Sequence, residues 1–130
     1  MHESAKRIMV VDDEPDVTTV IKSGLESQGY VVDAFNSAED ALTNFKPGVY
    51  DMLITDIRMP VMNGFDLYHE IRKNDDKIKI ALMTAFEIYE NQFRKMFKNV
   101  DVKCFLKKPV SISNLTRINE ELVKVEIRSK

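Results

Sequence analysis

Short apolar runs alternate with amphipathic stretches from one end of the chain to the other. Ile8-Met9-Val10-Val11 is a continuous apolar run of strand length that stops abruptly at Asp12-Asp13, the pattern of a strand buried on both faces. Val17, Val20, Ile21, Gly24 and Leu25 recur at helical spacing, with Pro15 suited to a first turn and Gly29 to a stop, which predicts helix one. Residues 30–35 read as strand two. Ser37 then stands where it can cap a short helix two carrying Ala41, Leu42 and Phe45 and closed by Pro47-Gly48. Tyr50-Asp51-Met52-Leu53-Ile54-Thr55 predicts strand three, so Asp56 falls at a strand's carboxyl end. A turn, Arg58-Met59-Pro60-Val61-Met62-Asn63-Gly64, precedes helix three with Phe65, Leu67, Tyr68 and Ile71. Residues 78–83 read as strand four, Tyr89, Phe93, Met96 and Phe97 as one face of helix four, and residues 102–106 as strand five. Ser111 can cap a fifth helix bearing Ile112, Leu115, Ile118 and Leu122.

Strict alternation of buried strands and helices predicts an α/β fold, a parallel sheet covered by helices on both faces and joined by right-handed crossovers. Its 130 residues, 44% hydrophobic and 31% charged, suit one compact domain with a real core, expected over about residues 6–125 and leaving no room for an effector domain. The single cysteine, Cys104, cannot close an intrachain disulfide, and no apolar run reaches the ~18 residues of a membrane span. Met1-His2-Glu3-Ser4 holds no apolar stretch of signal-peptide length before Lys6-Arg7, so a reducing, cytoplasmic setting is expected.

The net charge of -2 conceals a separation. Residues 12–56 hold ten acidic side chains against Lys22 and Lys46, a balance of -8. Residues 94–108 hold Arg94, Lys95, Lys98, Lys103, Lys107 and Lys108 against Asp101, a balance of +5. No nucleic-acid-binding motif spacing accompanies the basic stretch, so a solvated or partner-facing surface is expected and direct nucleic-acid binding is not.

Ligands in parallel α/β folds bind beyond the carboxyl ends of the strands. Asp12-Asp13 follow strand one, Asp56 strand three, Thr84 strand four and Lys108-Pro109 strand five. Two unit charges ~4 Å apart repel by about 4 kcal/mol at an effective dielectric of about 20, so three carboxylates on one rim call for a cation. A hard divalent ion with oxygen ligands fits, magnesium first, with manganese as a substitute. Three carboxylates, one such metal and Lys108 sum close to neutrality, which lets an anionic phosphoryl donor approach. Asp56 would then be the nucleophile at phosphorus, with Lys108 stabilising the equatorial oxygens and the Thr84 hydroxyl donating to the product. Each residue taken singly has a plainer role: paired aspartates cap helices, threonines do the same, lysines are solvated, and Phe105 and Cys104 suit a core. His2 and His69 lack partners at metal-ligand spacing.

The joint pattern resembles the receiver domain of two-component response regulators. The matching segments are Val10-Val11-Asp12-Asp13-Glu14, Leu53-Ile54-Thr55-Asp56-Ile57-Arg58-Met59-Pro60 with Asn63-Gly64, Met83-Thr84-Ala85 and Phe105-Leu106-Lys107-Lys108-Pro109, and the likeness spans essentially the whole chain. The resemblance implies a flavodoxin-like strand order 2-1-3-4-5 with five helices. It implies Asp56 as phosphoacceptor, with Asp13, Asp56 and the Arg58 carbonyl as metal ligands and Asp12 as a ligand through water. It implies Thr84 and Phe105 as a switch pair and a cis Lys108-Pro109 peptide that aims the lysine. The implied partners are a sensor histidine kinase or phosphotransfer protein upstream and a protein target that docks on the helix four, strand five and helix five face. The basic residues 94–108 are expected to help dock an acidic partner there. The resemblance further implies a chain that catalyses its own phosphorylation and slow dephosphorylation, with no independent small-molecule turnover expected.

Two departures from the family stand out. Asn99-Val100-Asp101 occupies the link before strand five where small residues are usual, and the switch aromatic is Phe105 rather than tyrosine, so its signal must be steric. By the resemblance, Arg58 and Phe86 sit at positions that in this family tune phosphoryl hydrolysis; both are bulky enough to screen water, so slow self-dephosphorylation is expected. A haloacid-dehalogenase phosphatase would need a second aspartate where Arg58 stands. A flavodoxin-type carrier would need a phosphate loop where Asp12, Asp13, Glu14 and Asp16 repel phosphate, and a P-loop sequence is absent. The remaining alternative is a phosphorylation-independent interaction module on the same fold.

Overall fold

A computed structural model of the chain describes residues 5–85, 102 and 104–128. The elements run β1 (Arg7–Val11), α1 (Pro15–Glu26), β2 (Val31–Phe35), α2 (Ala38–Asn44), β3 (Met52–Asp56), α3 (Gly64–Asn74), β4 (Lys79–Thr84), β5 (Cys104–Lys107) and α4 (Ile112–Arg128). All five strands are parallel and lie in the order β2-β1-β3-β4-β5, the order the resemblance implied. Of the five helices expected, four are found among the described residues. The helix expected over Tyr89, Phe93, Met96 and Phe97 lies outside them, as do Phe86, Arg94, Lys95, Lys98, Asn99, Val100, Asp101 and Lys103. α4 is therefore the fifth helix of the sequence reading.

Two cores form because successive strand residues point to opposite faces. Met9, Val11, Leu53, Ile80 and Leu82 meet Ala38, Ala41, Leu67, Tyr68 and Ile71 of α2 and α3 on one face. Ile8, Val10, Met52, Ile54, Ala81, Met83 and Leu106 meet Ile21 and Leu25 of α1 and Ile118 and Leu122 of α4 on the other. The sheet is thus buried on both sides, which is why its strands read as unbroken apolar runs. One expectation fails in detail: Val20, assigned to the apolar face of helix one, is 62% exposed. Val20 lies beside the stripe that Ile21 and Leu25 define, on an open apolar groove that Val17, Pro109 and Val110 also line.

Helix ends follow local chemistry. Pro15 opens α1, where its missing N–H costs nothing. The Ser37 side chain accepts from Asp40 N and caps α2. Asn63 and Asp66 form a reciprocal capping box at the start of α3, at 2.9 and 3.2 Å. The Ser111 Oγ accepts from Asn114 N at 3.3 Å at the start of α4.

Asp75, after α3, ties two loops together at the end of the sheet remote from the acidic rim. Its carboxylate accepts from the backbone N–H of Gly48 at 2.9 Å, Lys77 at 3.0 Å and Ile78 at 3.1 Å. Partial burial works against ionisation, but these donors and Arg72 outweigh it and hold Asp75 below the usual carboxylate range. A carboxyl depressed in the folded state contributes stability that is present above its unfolded value of about 3.9 and lost as pH falls through the folded value. Asp75→Ala is therefore expected to cost about 1–2 kcal/mol in urea unfolding at pH 7. The gap to wild type is expected to narrow below pH ~4.

Candidate functional site

Parity along the strands selects the side chains of the site. Val10, Ile54 and Leu106 point to the α1 and α4 face, so Asp12, Asp56 and Lys108, each two residues further on, project to that same side just beyond the strand ends. Strand register brings them level: Val11 pairs with Thr55, Asp56 with Met83, and Thr84 with Lys107. Asp12 is fully buried, Asp56 is 6% exposed and Thr84 is 6% exposed, whereas Asp13 is exposed.

Lys108 sits among the carboxylates. Its Nζ lies 2.9 Å from Asp12 Oδ2, 3.0 Å from Glu14 Oε1 and 3.4 Å from Asp56 Oδ2. The Asp12 contact is an ion pair outside hydrogen-bond geometry, so that buried Oδ2 has no hydrogen-bond donor, while Oδ1 accepts from Glu14 N at 2.9 Å. The Lys108–Pro109 peptide is cis, and Lys108 N donates to Thr84 O at 2.9 Å. Lys108 thus stands on the acidic rim, at the strand end where the sequence places it, and drops out of the basic surface with which the charge count also groups it.

Burial raises the pKa of Asp12 and of Asp56 above the usual carboxylate value, and repulsion from neighbouring aspartates adds to it, with Lys108 opposing. For Lys108 burial pulls down, but its contacts with Asp12, Glu14 and Asp56 win and hold the ammonium above its usual value. The cluster is therefore short of positive charge. Carboxylate oxygens of Asp12, Asp13 and Asp56 lie within 4.8 Å of one another, close enough for one small cation to bridge. The undonated Asp12 Oδ2 and the oxygen-only donor set suit a hard divalent ion.

The loop from β3 to α3 walls the site. Gly64 N donates to Ile57 O at 2.8 Å, and α3 begins against the backbone that carries Asp56. Met62 N donates to Pro60 O at 2.8 Å around Val61, whose φ of 69° closes a γ-turn of the strained hand. A β-branched residue pays about 1–2 kcal/mol there, and at 90% exposure Val61 gains no burial to offset it. Val61→Asn is expected to raise the unfolding free energy by about 1 kcal/mol, read from the urea midpoint at unchanged m value.

Arg58 is exposed beyond β3. Phe105 is partly buried against the core on the α2 and α3 face, and Arg117 Nη1 donates to its carbonyl at 2.9 Å. Residue reading from sequence missed Glu14 as a partner of Lys108 and Gly64 as a point of close approach. Both lie in segments whose residue types were noted, but nothing in local spacing says what a residue 94 positions away will touch.

Comparison with known proteins agrees with this geometry. Residues 8–120 match the family model described as the response regulator receiver domain. The Enterococcus faecalis regulatory protein VanRB is 32% identical over 118 residues, which cover 91% of this chain and 52% of that protein. The Escherichia coli aerobic respiration control sensor protein ArcB is 30% identical over 112 residues, 86% of this chain and 14% of that protein. The chain thus spans about half, or less, of the length of these curated relatives. Among solved structures, the Thermotoga maritima response regulator TrrA in complex with Mg(2+)-BeF is 34% identical, with a TM-score of 0.76 over 90% of this chain and 98% of that one. A CheY-like receiver domain protein from Methanospirillum hungatei is 27% identical, with a TM-score of 0.81 over 97% of this chain and 100% of that one.

Proposed function

Because the chain belongs to the response regulator receiver domain family, we propose that Asp56 accepts a phosphoryl group from the phosphohistidine of a sensor histidine kinase or phosphotransfer protein. The observation that carries this reading is the Lys108 ammonium held within 3.4 Å of both Asp12 and Asp56 on one strand-end rim. An Asp56 oxygen forms the new bond to phosphorus while the phosphorus–nitrogen bond breaks, and the imidazole leaves with the electron pair and takes a proton from solvent. Lys108 turns from the carboxylates to a phosphoryl oxygen, and the Thr84 hydroxyl donates to another. Asp13, Asp56 and the Arg58 carbonyl would hold magnesium, or manganese in its place, with Asp12 acting through water. When bound, the metal supplies the charge that lets an anionic donor approach three carboxylates.

Output follows as a population shift: Thr84 moves toward the phosphoryl group and Phe105 turns into the space it leaves, which reshapes the face around β5 and α4 for a protein target. No helix among the described residues is long and apolar enough to cross a membrane, and the proposed setting is cytoplasmic. The test is incubation with acetyl phosphate, with and without magnesium, read by intact-mass spectrometry and mapping of the modified peptide. Magnesium-dependent modification at Asp56 supports the reading. An unmodified protein would leave a phosphorylation-independent interaction module.

A further inference from the structure

Glu14 has no part in the scheme so far, yet it makes one of the three contacts to Lys108. It occupies the N-cap of α1, and its side chain makes no capping hydrogen bond there. Instead its Oε1 accepts from Lys108 Nζ at 3.0 Å. The Lys108 ammonium is shared among three carboxylates, donating to Glu14 and Asp56 and ion-paired with Asp12. A phosphoryl oxygen that approaches Lys108 competes with these carboxylates for it. Asp12 is fully buried and Asp56 is the attacking group, whereas the Glu14 side chain is 64% exposed and can swing into water at small cost. Glu14 also adds a fourth negative charge at the mouth of a rim already lined by Asp12, Asp13 and Asp56.

We propose that Glu14 is a positioning residue that holds the Lys108 ammonium at the mouth of the site before phosphorylation, and that its charge sets how readily anionic small-molecule phosphodonors load Asp56. This inference rests on Asp56 as the phosphoacceptor. Repulsion scales with donor charge, so relief of it favours a dianionic donor over a monoanionic one. A residue that merely shaped the loop would slow or speed both donors alike.

The experiment follows Asp56 loading of the full chain by intact-mass spectrometry at saturating magnesium, with acetyl phosphate as the dianionic donor and phosphoramidate as the less charged one. Glu14→Gln is expected to load roughly five- to tenfold faster with acetyl phosphate and about two- to threefold faster with phosphoramidate, the square root of the dianion's gain. Glu14→Asp, which keeps the charge, is expected to return the acetyl phosphate rate toward wild type. The gain in Glu14→Gln should shrink at ~1 M salt, because an exposed charge is screened there. Equal rates for wild type and Glu14→Gln, or the same gain with both donors, overturn the role of Glu14 while leaving Asp56 as acceptor. A wild-type protein that is not loaded by either donor overturns both readings.

Discussion

Asp56→Asn is expected to abolish phosphoryl loading and, in metal-free buffer, to melt at a higher temperature than wild type. The first effect follows because an amide oxygen is a poor nucleophile and no other carboxylate replaces it at the end of β3. The second follows from the direction of the pKa shifts. Burial first, and the neighbouring carboxylate charges second, raise Asp56, and burial raises Asp12 likewise. A carboxyl raised in the folded state lets the folded protein bind more protons than the unfolded chain at intermediate pH, so stability declines as pH rises from the unfolded value of about 3.9 through the folded one. Wild type therefore carries an electrostatic cost at neutral pH that the Asn variant relieves by about 1 kcal/mol, consistent with the usual tension between a working site and stability. The two unfolding curves should converge below pH ~4 and separate above it. Saturating magnesium should reverse the order, since a ligand present at about 100 times its dissociation constant adds roughly 2.7 kcal/mol to the form that binds it. Calorimetry with and without magnesium reads both halves; a variant no more stable than wild type in chelator would contradict the electrostatic account.

Gly64→Ala is expected to be the most damaging single-methyl change in the described part of the chain. A Cβ at residue 64 would stand 2.2 Å from Asp56 O, 3.0 Å from Ile57 Cα and 3.1 Å from Asp56 C. These are backbone atoms of the strand end itself, so no rotamer change can make room. Either α3 moves outward and gives up the Gly64 N to Ile57 O bond, or the end of β3 shifts and takes Asp56 with it. Overpacking against backbone lies at the upper end of such penalties, about 3 kcal/mol. A displacement of Asp56 near 1 Å lowers its loading rate by about 100-fold even in the molecules that remain folded. Urea unfolding and acetyl phosphate loading, measured on the same sample, separate the two effects. Wild-type loading in a protein of wild-type stability would show that the strand end yields without cost.

Much of the site was legible before any coordinates. The runs Ile8 to Val11 and Met52 to Thr55 could only be buried parallel strands, and a period of two then puts Asp12 and Asp56 on one side of the sheet. Capping at Ser37 and the opening of α1 at Pro15 were equally readable, because a cap involves residues only three positions apart. The charge pattern was legible only as a count. Lys108 could be counted both in the basic stretch and on the acidic rim, and its contacts with Asp12, Glu14 and Asp56 assign it to the rim. Val20 satisfied the helical spacing of an apolar stripe and still faces solvent, since spacing fixes a direction around the helix and not how far the neighbouring sheet extends beneath it.

The sequence by itself determined the alternation of strands and helices, the two buried faces and the residues that end each strand, because periodicity, propensity and capping act over a few residues. Tertiary structure alone decided how closely Lys108 approaches Asp12 and Asp56, that Glu14 contacts that ammonium across 94 positions, and that α3 starts so close to the backbone of Asp56 that residue 64 has no room for a Cβ. Those three facts depend on strand order and register, which are set by the packing of the whole sheet and not by any local stretch of chain.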